Sequence, residues 1–131
     1  MTVNELRIGN WLIDYENKIG KVKSIEDYNV LKVVSNEGVL ISYCEIELYK
    51  PIPLTEEILL NCGFKISSYP ETIFYSIIFD DVALYTLTIN RKLGTNVFTY
   101  KNENSITQIK HLHQLQNLYF SLTNQELNIE L

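Results

Sequence analysis

The sequence predicts an α+β protein: an N-terminal antiparallel meander of strands, a short helix, a second antiparallel sheet and a C-terminal amphipathic helix. Three observations predict this order. Short apolar runs alternate with turn residues between positions 11 and 49, and a helix signature follows at 51–64. After a second group of strand-like runs, apolar and amide side chains recur at helical spacing over residues 113–122.

The meander is predicted from runs rich in β-branched and aromatic residues, with Gly-containing turns after the first and third runs. Four or five short strands need a second layer or must curl, and the small curled solution is an SH3-like half-barrel. The runs read WLIDY, KVKSI, VLKVV and VLISY.

Residues 51–64, PIPLTEEILLNCGF, end the meander and predict a short helix. Thr55 is a suitable N-cap, Glu56 and Glu57 suit the positive first turn, and Gly63 suits the C-terminal stop. Because so short a helix is unstable in isolation, we expect a sheet to support it.

The second sheet is predicted from the runs TIFYSIIF, VALYTLTIN and NVFTY, with Asp80 and Asp81 in a hairpin turn between the first two. Apolar and polar side chains alternate in the second run, so one face of this sheet is expected to be wet. That face is a candidate interaction surface.

The last helix is expected to begin at Ser105, because Ser105 and Gln108 have the spacing of a capping box, and to end near Leu122. Within it, one stripe is apolar and a neighbouring shoulder carries amides. The stripe holds Leu115, Leu118, Tyr119 and Leu122, and the shoulder holds Gln114, Gln116 and Asn117.

We expect one domain spanning residues 1–131, since a chain of this length can bury a single core. A division into subdomains 1–50 and 51–131 is the alternative, with residues 51–54 as the connection.

Charge and composition narrow the classes of function. With 11 Lys and Arg against 16 Asp and Glu, the net charge is -5, which disfavours binding to duplex nucleic acid. Two cysteines and no recognisable signal peptide indicate a reduced, cytoplasmic setting. No apolar run approaches the roughly 18 residues of a membrane span, so we expect a soluble protein.

The residues give little support for catalysis, and we expect neither an enzyme nor a metal or other cofactor. His111 and His113 would point about 200° apart on a helix, which prevents them from sharing one ion. Cys44 and Cys62 have no nearby histidine in the sequence and are expected to be buried apolar residues. Phosphate-binding glycine loops and the common hydrolase motifs are missing from the sequence.

Two basic clusters are a candidate site for a small anionic ligand. Lys18, Lys21 and Lys23 surround the first turn, and Arg91 or Lys92 could meet a nucleotide phosphate while a tyrosine stacks on its base. The alternative is that these are solvated charges at sheet edges. The tyrosines considered are Tyr28, Tyr43, Tyr75, Tyr85 and Tyr119.

The amide shoulder is the second candidate ligand site. Gln114 and Asn117 are helical neighbours at i, i+3 and could share one target, with His113 and Tyr119 beside them. The alternative is a polar helix face whose hydrogen bonds are satisfied within the protein.

Three blocks of the chain resemble a group of short uncharacterised proteins of gut anaerobes and of their phages and mobile elements. The blocks are NELRIGNW at 4–11, PIPLTEEILLNCGF at 51–64 and HQLQNLYFSLTNQEL at 113–127. The resemblance runs through the whole chain in order and implies membership of this group. It implies no activity and transfers no functional residue.

These observations favour a non-enzymatic, homo-oligomeric binding module of phage type that sequesters a small nucleotide immune signal. A protein-interaction adaptor that binds a host or virion protein is the alternative. A hydrolase of a nucleotide signal is the third and least favoured hypothesis.

Overall fold

The computed structural model describes residues 1–69, 72–80, 85–90, 96–99 and 102–131. The backbone forms two compact units. The first contains Met1–Pro53 and His111–Ser121, and the second contains Leu54–Lys110 and Leu122–Leu131. The sequence-based division at residue 50 placed 111–121 with the second part, whereas the contacts place this segment with the first. The single-domain expectation stays a prediction.

The first unit holds a five-stranded antiparallel half-barrel sheet, as predicted. The strands are β1 (Trp11–Ile13), β2 (Ile19–Glu26), β3 (Val30–Val34), β4 (Leu40–Glu45) and β5 (Lys50–Pro51). In the sheet they lie in the order β4-β3-β2-β1-β5. A 3-10 turn at Ile46–Leu48 connects β4 to β5 along the chain.

One face of this sheet forms the core of the unit. Alternate positions point to the same face of a strand, so Leu31 and Val33 on β3 are both buried there. At this core the Tyr49 hydroxyl donates a hydrogen bond to the Leu31 carbonyl oxygen at 3.3 Å and lies 2.9 Å from Ser42 Oγ. Burial raises the pKa of Tyr49 to about 12. The core consists of Leu6, Leu12, Val22, Leu31, Val33, Ile46 and Tyr49.

The second unit begins with helix α1 (Glu56–Asn61), and its predicted signals are confirmed. Thr55 Oγ1 accepts a hydrogen bond from the Ile58 N–H at 3.2 Å. At the other end Gly63 has φ 89°, and the Phe64 N–H donates to the Leu59 carbonyl oxygen at 3.0 Å. This is the Schellman arrangement that terminates many helices.

The second sheet is also antiparallel, with the order β10-β9-β8-β7-β6. Asp80 pairs with Tyr85 at the end of the β7–β8 pair; Asp81 and the rest of the connection lie outside the described residues. Two strands, β6 and β10, were not predicted. The strands are β6 (Lys65–Tyr69), β7 (Thr72–Asp80), β8 (Tyr85–Asn90), β9 (Asn96–Thr99) and β10 (Asn102–Gln108).

The expected start of the last helix at Ser105 is wrong. Ser105 pairs with Phe98 within β10, and helix α2 spans Leu112–Thr123. Backbone pairing with β9 supplies the hydrogen bonds that a capping box would have supplied. The helix is instead capped by Gln114, whose Oε1 accepts from the His111 N–H at 3.1 Å.

Among the described residues, neither helix has the length and apolar character required to cross a membrane.

Candidate functional site

Gln116 is bound to backbone groups near the start of the chain. Its Oε1 accepts from the Trp11 N–H at 2.9 Å, and its Nε2 donates to the Gly9 carbonyl oxygen at 3.0 Å. The side chain is 2% exposed. The prediction that Gln116 lies on an outward shoulder is therefore wrong, because these two backbone groups draw the amide into the interior.

Asn117 makes a second set of contacts with the same segment. Its Nδ2 donates to the Glu5 carbonyl oxygen at 2.8 Å, and its Oδ1 accepts from Asn10 Nδ2 at 2.8 Å. Nearby, the Arg7 guanidinium lies 4.1 Å from the centre of the Phe120 ring. We call Gln116 and Asn117, with the backbone they bind in residues 5–11, the amide clamp. It joins the NELRIGNW and HQLQNLYF blocks of the sequence.

Among the described residues, the amides predicted to share a ligand bind different groups of the protein. Gln114 caps α2, so it and Asn117 bind separate protein groups instead of one shared target. Tyr119 is half-buried and makes an interaction within the protein. Arg91 and Lys92 lie outside the described residues.

His113 is buried, with 1% of its surface exposed, and the expected divergence of the two histidines is wrong. His111 precedes the helix instead of forming part of it, and its ring stacks on that of His113 with centroids 5.9 Å apart and an interplanar angle of 10°. Within the described part of the chain, no three His, Cys, Asp or Glu side chains are grouped to hold a metal ion.

Cys62 is buried, as expected for an apolar structural residue. It is a free thiol with 3% exposure, and burial raises its pKa to about 12. Cys44 is also free and half-buried. A thiol held in its neutral form is a poor nucleophile, so the environment of Cys62 does not favour covalent catalysis.

A groove of about 270 Å³ opens on the half-barrel where β2 meets the β3–β4 turn. We call it the lysine groove, because Lys21 and Lys23 are the charged residues among those that line it. Its volume is near the lower end of small-molecule pockets, which start at about 300 Å³. The lining consists of Ile8, Gly9, Lys21, Val22, Lys23, Val34, Ser35, Asn36 and Gly38.

The two lysines are held differently. Lys21 is half-buried, with its ammonium 3.1 Å from Asn36 Oδ1 and 5.5 Å from the centre of the Trp11 ring. Neither of these neighbours carries a negative charge, so the charge of Lys21 is not neutralised by them. Lys23 is exposed. Lys18, the third member of the predicted cluster, instead pairs with Glu16 at 2.9 Å and does not line the groove.

Lys21 and Lys23 lie two residues apart on β2, and alternation along a strand gives such residues a common side. Val22 pairs with Val33 and Ser24 pairs with Lys32, which leaves Lys23 as the extra residue of a β-bulge. The cluster of lysines was visible in the sequence, but the participation of Gly9 and of the β3–β4 turn was not, because it depends on strand register.

Comparisons of this chain with protein-family models, with curated proteins and with solved structures return no match.

Proposed function

We propose that this chain is a non-enzymatic binding module that holds a small, phosphate-bearing anion of nucleotide type in the lysine groove. The observation that carries the proposal is that Lys21 and Lys23 line one groove with apolar walls, and that the neighbours of the Lys21 ammonium, Asn36 and Trp11, are uncharged. An ammonium without a carboxylate partner can form charge-assisted hydrogen bonds to a phosphate oxygen.

The surroundings of Lys21 and Lys23 suit such a ligand. Ser35 and Asn36 supply neutral polar groups, and Ile8 and Val34 supply apolar surface against which a base or sugar can pack. The chain as a whole carries a net charge of -5, so attraction to an anion is local to the groove. This combination favours a compact ligand over a long polyanion.

A sponge, which binds a signal without converting it, is the biological form of this proposal. It is supported by the resemblance of the sequence to phage and mobile-element proteins and by the expected absence of a catalytic constellation. We further propose that the protein acts in the cytoplasm as a homo-oligomer, in which short chains commonly build stable assemblies.

Isothermal titration calorimetry at pH 7.5 tests the groove directly. The probes are inorganic phosphate, AMP, 3′,5′-cyclic AMP and cyclic di-GMP. We expect at least one to bind, and the double variant K21Q/K23Q to weaken it at least about tenfold, which corresponds to about 1.4 kcal/mol. K32Q/K50Q is the matched control, since it removes the same charge from exposed positions outside the groove.

Chromatography of the probe after overnight incubation tests the non-enzymatic character. We expect the nucleotide to be recovered unchanged, whereas turnover would favour the hydrolase. Failure of all four probes to bind, or equal weakening by K21Q/K23Q and K32Q/K50Q, would overturn the groove proposal. Native mass spectrometry of the same samples reports oligomeric state together with any retained ligand mass.

A protein-interaction adaptor is the second candidate, and a different surface favours it. Val39, Leu40 and Tyr43 are 65%, 55% and 58% exposed on β4 and the turn before it, where β4 forms one edge of its sheet. Exposed apolar residues beside an unpaired strand edge are common at interfaces. Co-purification of one defined partner that the variant L40K/Y43K loses would support the adaptor.

A further inference from the structure

His113 occupies an unusual environment at the start of α2. It is 1% exposed, and neither ring nitrogen has a hydrogen-bond partner among the described residues. Glu5 Oε2 lies 3.8 Å from Nε2, beyond hydrogen-bond distance. A neutral ring tolerates this environment, but a protonated ring would be a buried charge with weak compensation.

The charged and titratable groups around His113 mostly oppose its protonation. Burial lowers the pKa of His113 below its ordinary value, and both His111 and the N-terminal ammonium lower it further. Glu5 acts in the opposite direction. The ring also lies in the first turn of a helix, where the positive end of the helix dipole disfavours a cation.

His113 lies next to the amide clamp. Gln116 and Asn117 follow it at i+3 and i+4, so all three side chains lie on neighbouring parts of one helix face. Gly9, whose carbonyl oxygen accepts from Gln116, is also part of the lining of the lysine groove. A disturbance at His113 therefore reaches the groove through one hydrogen bond to its wall.

We propose that protonation of His113 in mildly acidic solution releases residues 111–121 from residues 5–11 and loosens the Ile8–Gly9 wall of the lysine groove. The release stands on the geometry of the first unit, and the effect on ligand affinity rests on the proposed function. The protein would thus hold its anion near neutral pH and lose affinity in acid.

The direction with pH follows from the lowered pKa. The unfolded or released segment binds a proton more readily than the docked one, with a pKa of about 6.5. Docking is therefore fully stable above about pH 6.5 and loses stability as the pH falls below that value toward the lower pKa of the docked state. Most exposed carboxylates titrate below pH 5, outside this window.

Hydrogen exchange at pH 7.5 and 5.5, corrected for intrinsic rates, tests the release in ligand-free protein. We expect protection at the Trp11 amide and in residues 112–117 to fall severalfold at pH 5.5, up to the limit of about tenfold that one histidine with a free pKa of about 6.5 can supply between these pH values. Fluorescence of Trp11, the single tryptophan of the chain, should change over the same pH range. Unchanged protection at these amides would overturn the proposal.

Two variants assign the effect to His113. H113L removes the titrating group without removing a hydrogen bond, and we expect its protection to be independent of pH in this range. E5Q removes the attraction of Glu5 for the protonated ring, so its loss of protection in acid should exceed that of the wild type. H111Q removes one of the groups that lower the pKa of His113, so its acid response should persist but be smaller than that of the wild type. A wild-type response in H113L would refute the assignment, and E5Q decides the question if H113L does not fold.

Calorimetry with 3′,5′-cyclic AMP at both pH values separates this inference from the proposed function, because its phosphodiester does not titrate between them. Binding at pH 7.5 that weakens at least about fivefold at pH 5.5 in the wild type, but not in H113L, supports the link to the groove. Equal affinity at both pH values overturns the link. No binding by any probe at pH 7.5 overturns the proposed function, whereas the exchange result decides the release by itself.

Discussion

Replacing Gln116 with leucine should destabilise the first unit by breaking the contact between α2 and the start of the chain. The substitution removes two hydrogen bonds, from the Trp11 N–H at 2.9 Å and to the Gly9 carbonyl oxygen at 3.0 Å. Trp11 is only 7% exposed, so its N–H loses its partner without gaining water. A stranded buried donor costs about 1–3 kcal/mol, and the second bond about 0.5–1.5 kcal/mol.

The expected total is about 1–4 kcal/mol, because the apolar leucine side chain recovers part of the loss of the two hydrogen bonds. Urea unfolding followed by the fluorescence of Trp11 measures it, since this residue is the single tryptophan and lies at the affected contact. With a slope of about 2 kcal/mol per molar urea, we expect the midpoint to fall by about 0.5–2 M.

Q125L is the matched control, because Gln125 is exposed and its side chain lies outside the clamp. We expect this control to change stability by less than about 0.5 kcal/mol. A midpoint for Q116L within the error of Q125L would refute the reasoning, since it would mean that water or a shifted backbone replaces both hydrogen bonds at no cost.

Three further predictions concern two glycines, the N-cap of α1 and the buried thiol of Cys62. Gly20→Ala should cost about 1–3 kcal/mol in a thermal melt, because a Cβ there would lie 2.5 Å from Val33 Cγ1 and 2.9 Å from the Val34 carbonyl oxygen. Gly38→Ala has open space around its Cβ but φ 85°, so it should cost about 1–2 kcal/mol from backbone strain alone. Equal large losses in both variants would contradict the clash at Gly20. Thr55→Ala should lower stability by about 1 kcal/mol through loss of the cap on α1, while Thr55→Ser should retain most of it; indistinguishable urea midpoints would show that the cap contributes nothing. Because burial raises its pKa to about 12, Cys62 should resist iodoacetamide at pH 8 in the native protein and react in denaturant, as peptide mass mapping would show, and rapid native labelling would contradict the burial.

The elements whose signals are local were predictable from the sequence. The four runs of the meander became β1 to β4, because alternation over a few residues already specifies a strand that is buried on one face. Helix α1 was predictable at both ends, since Thr55 and Gly63 act on backbone groups within a turn of themselves.

The start of α2 was not predictable in the same way. Ser105 and Gln108 have the spacing of a capping box, but the same residues can also form a strand, and pairing of β10 with β9 decides between the two. The pairing partner is supplied by tertiary structure, so no local pattern could reveal it.

The candidate site was likewise predictable only in part from the sequence. The lysine cluster was evident from the sequence, but only register and turn geometry separate Lys21 and Lys23, which line the groove, from Lys18, which pairs with Glu16. Whether an amide faces solvent or a backbone group depends on what packs against its helix. Gln116 was therefore assigned to the wrong environment.

By itself, the sequence of this protein determined the α+β class, the meander, the capped helix α1 and the acidic charge that disfavours duplex nucleic acid. These properties depend on composition and on interactions between residues a few positions apart. Tertiary structure alone decided that α2 binds the start of the chain through Gln116 and Asn117, that His113 is buried against Glu5 and His111, and that two lysines share a groove. The contacts of Gln116, Asn117 and His113 with residues 5–11 join segments distant in sequence, and the groove joins two neighbouring lysines to Gly9 and to the β3–β4 turn. This proximity arises only when the chain has folded.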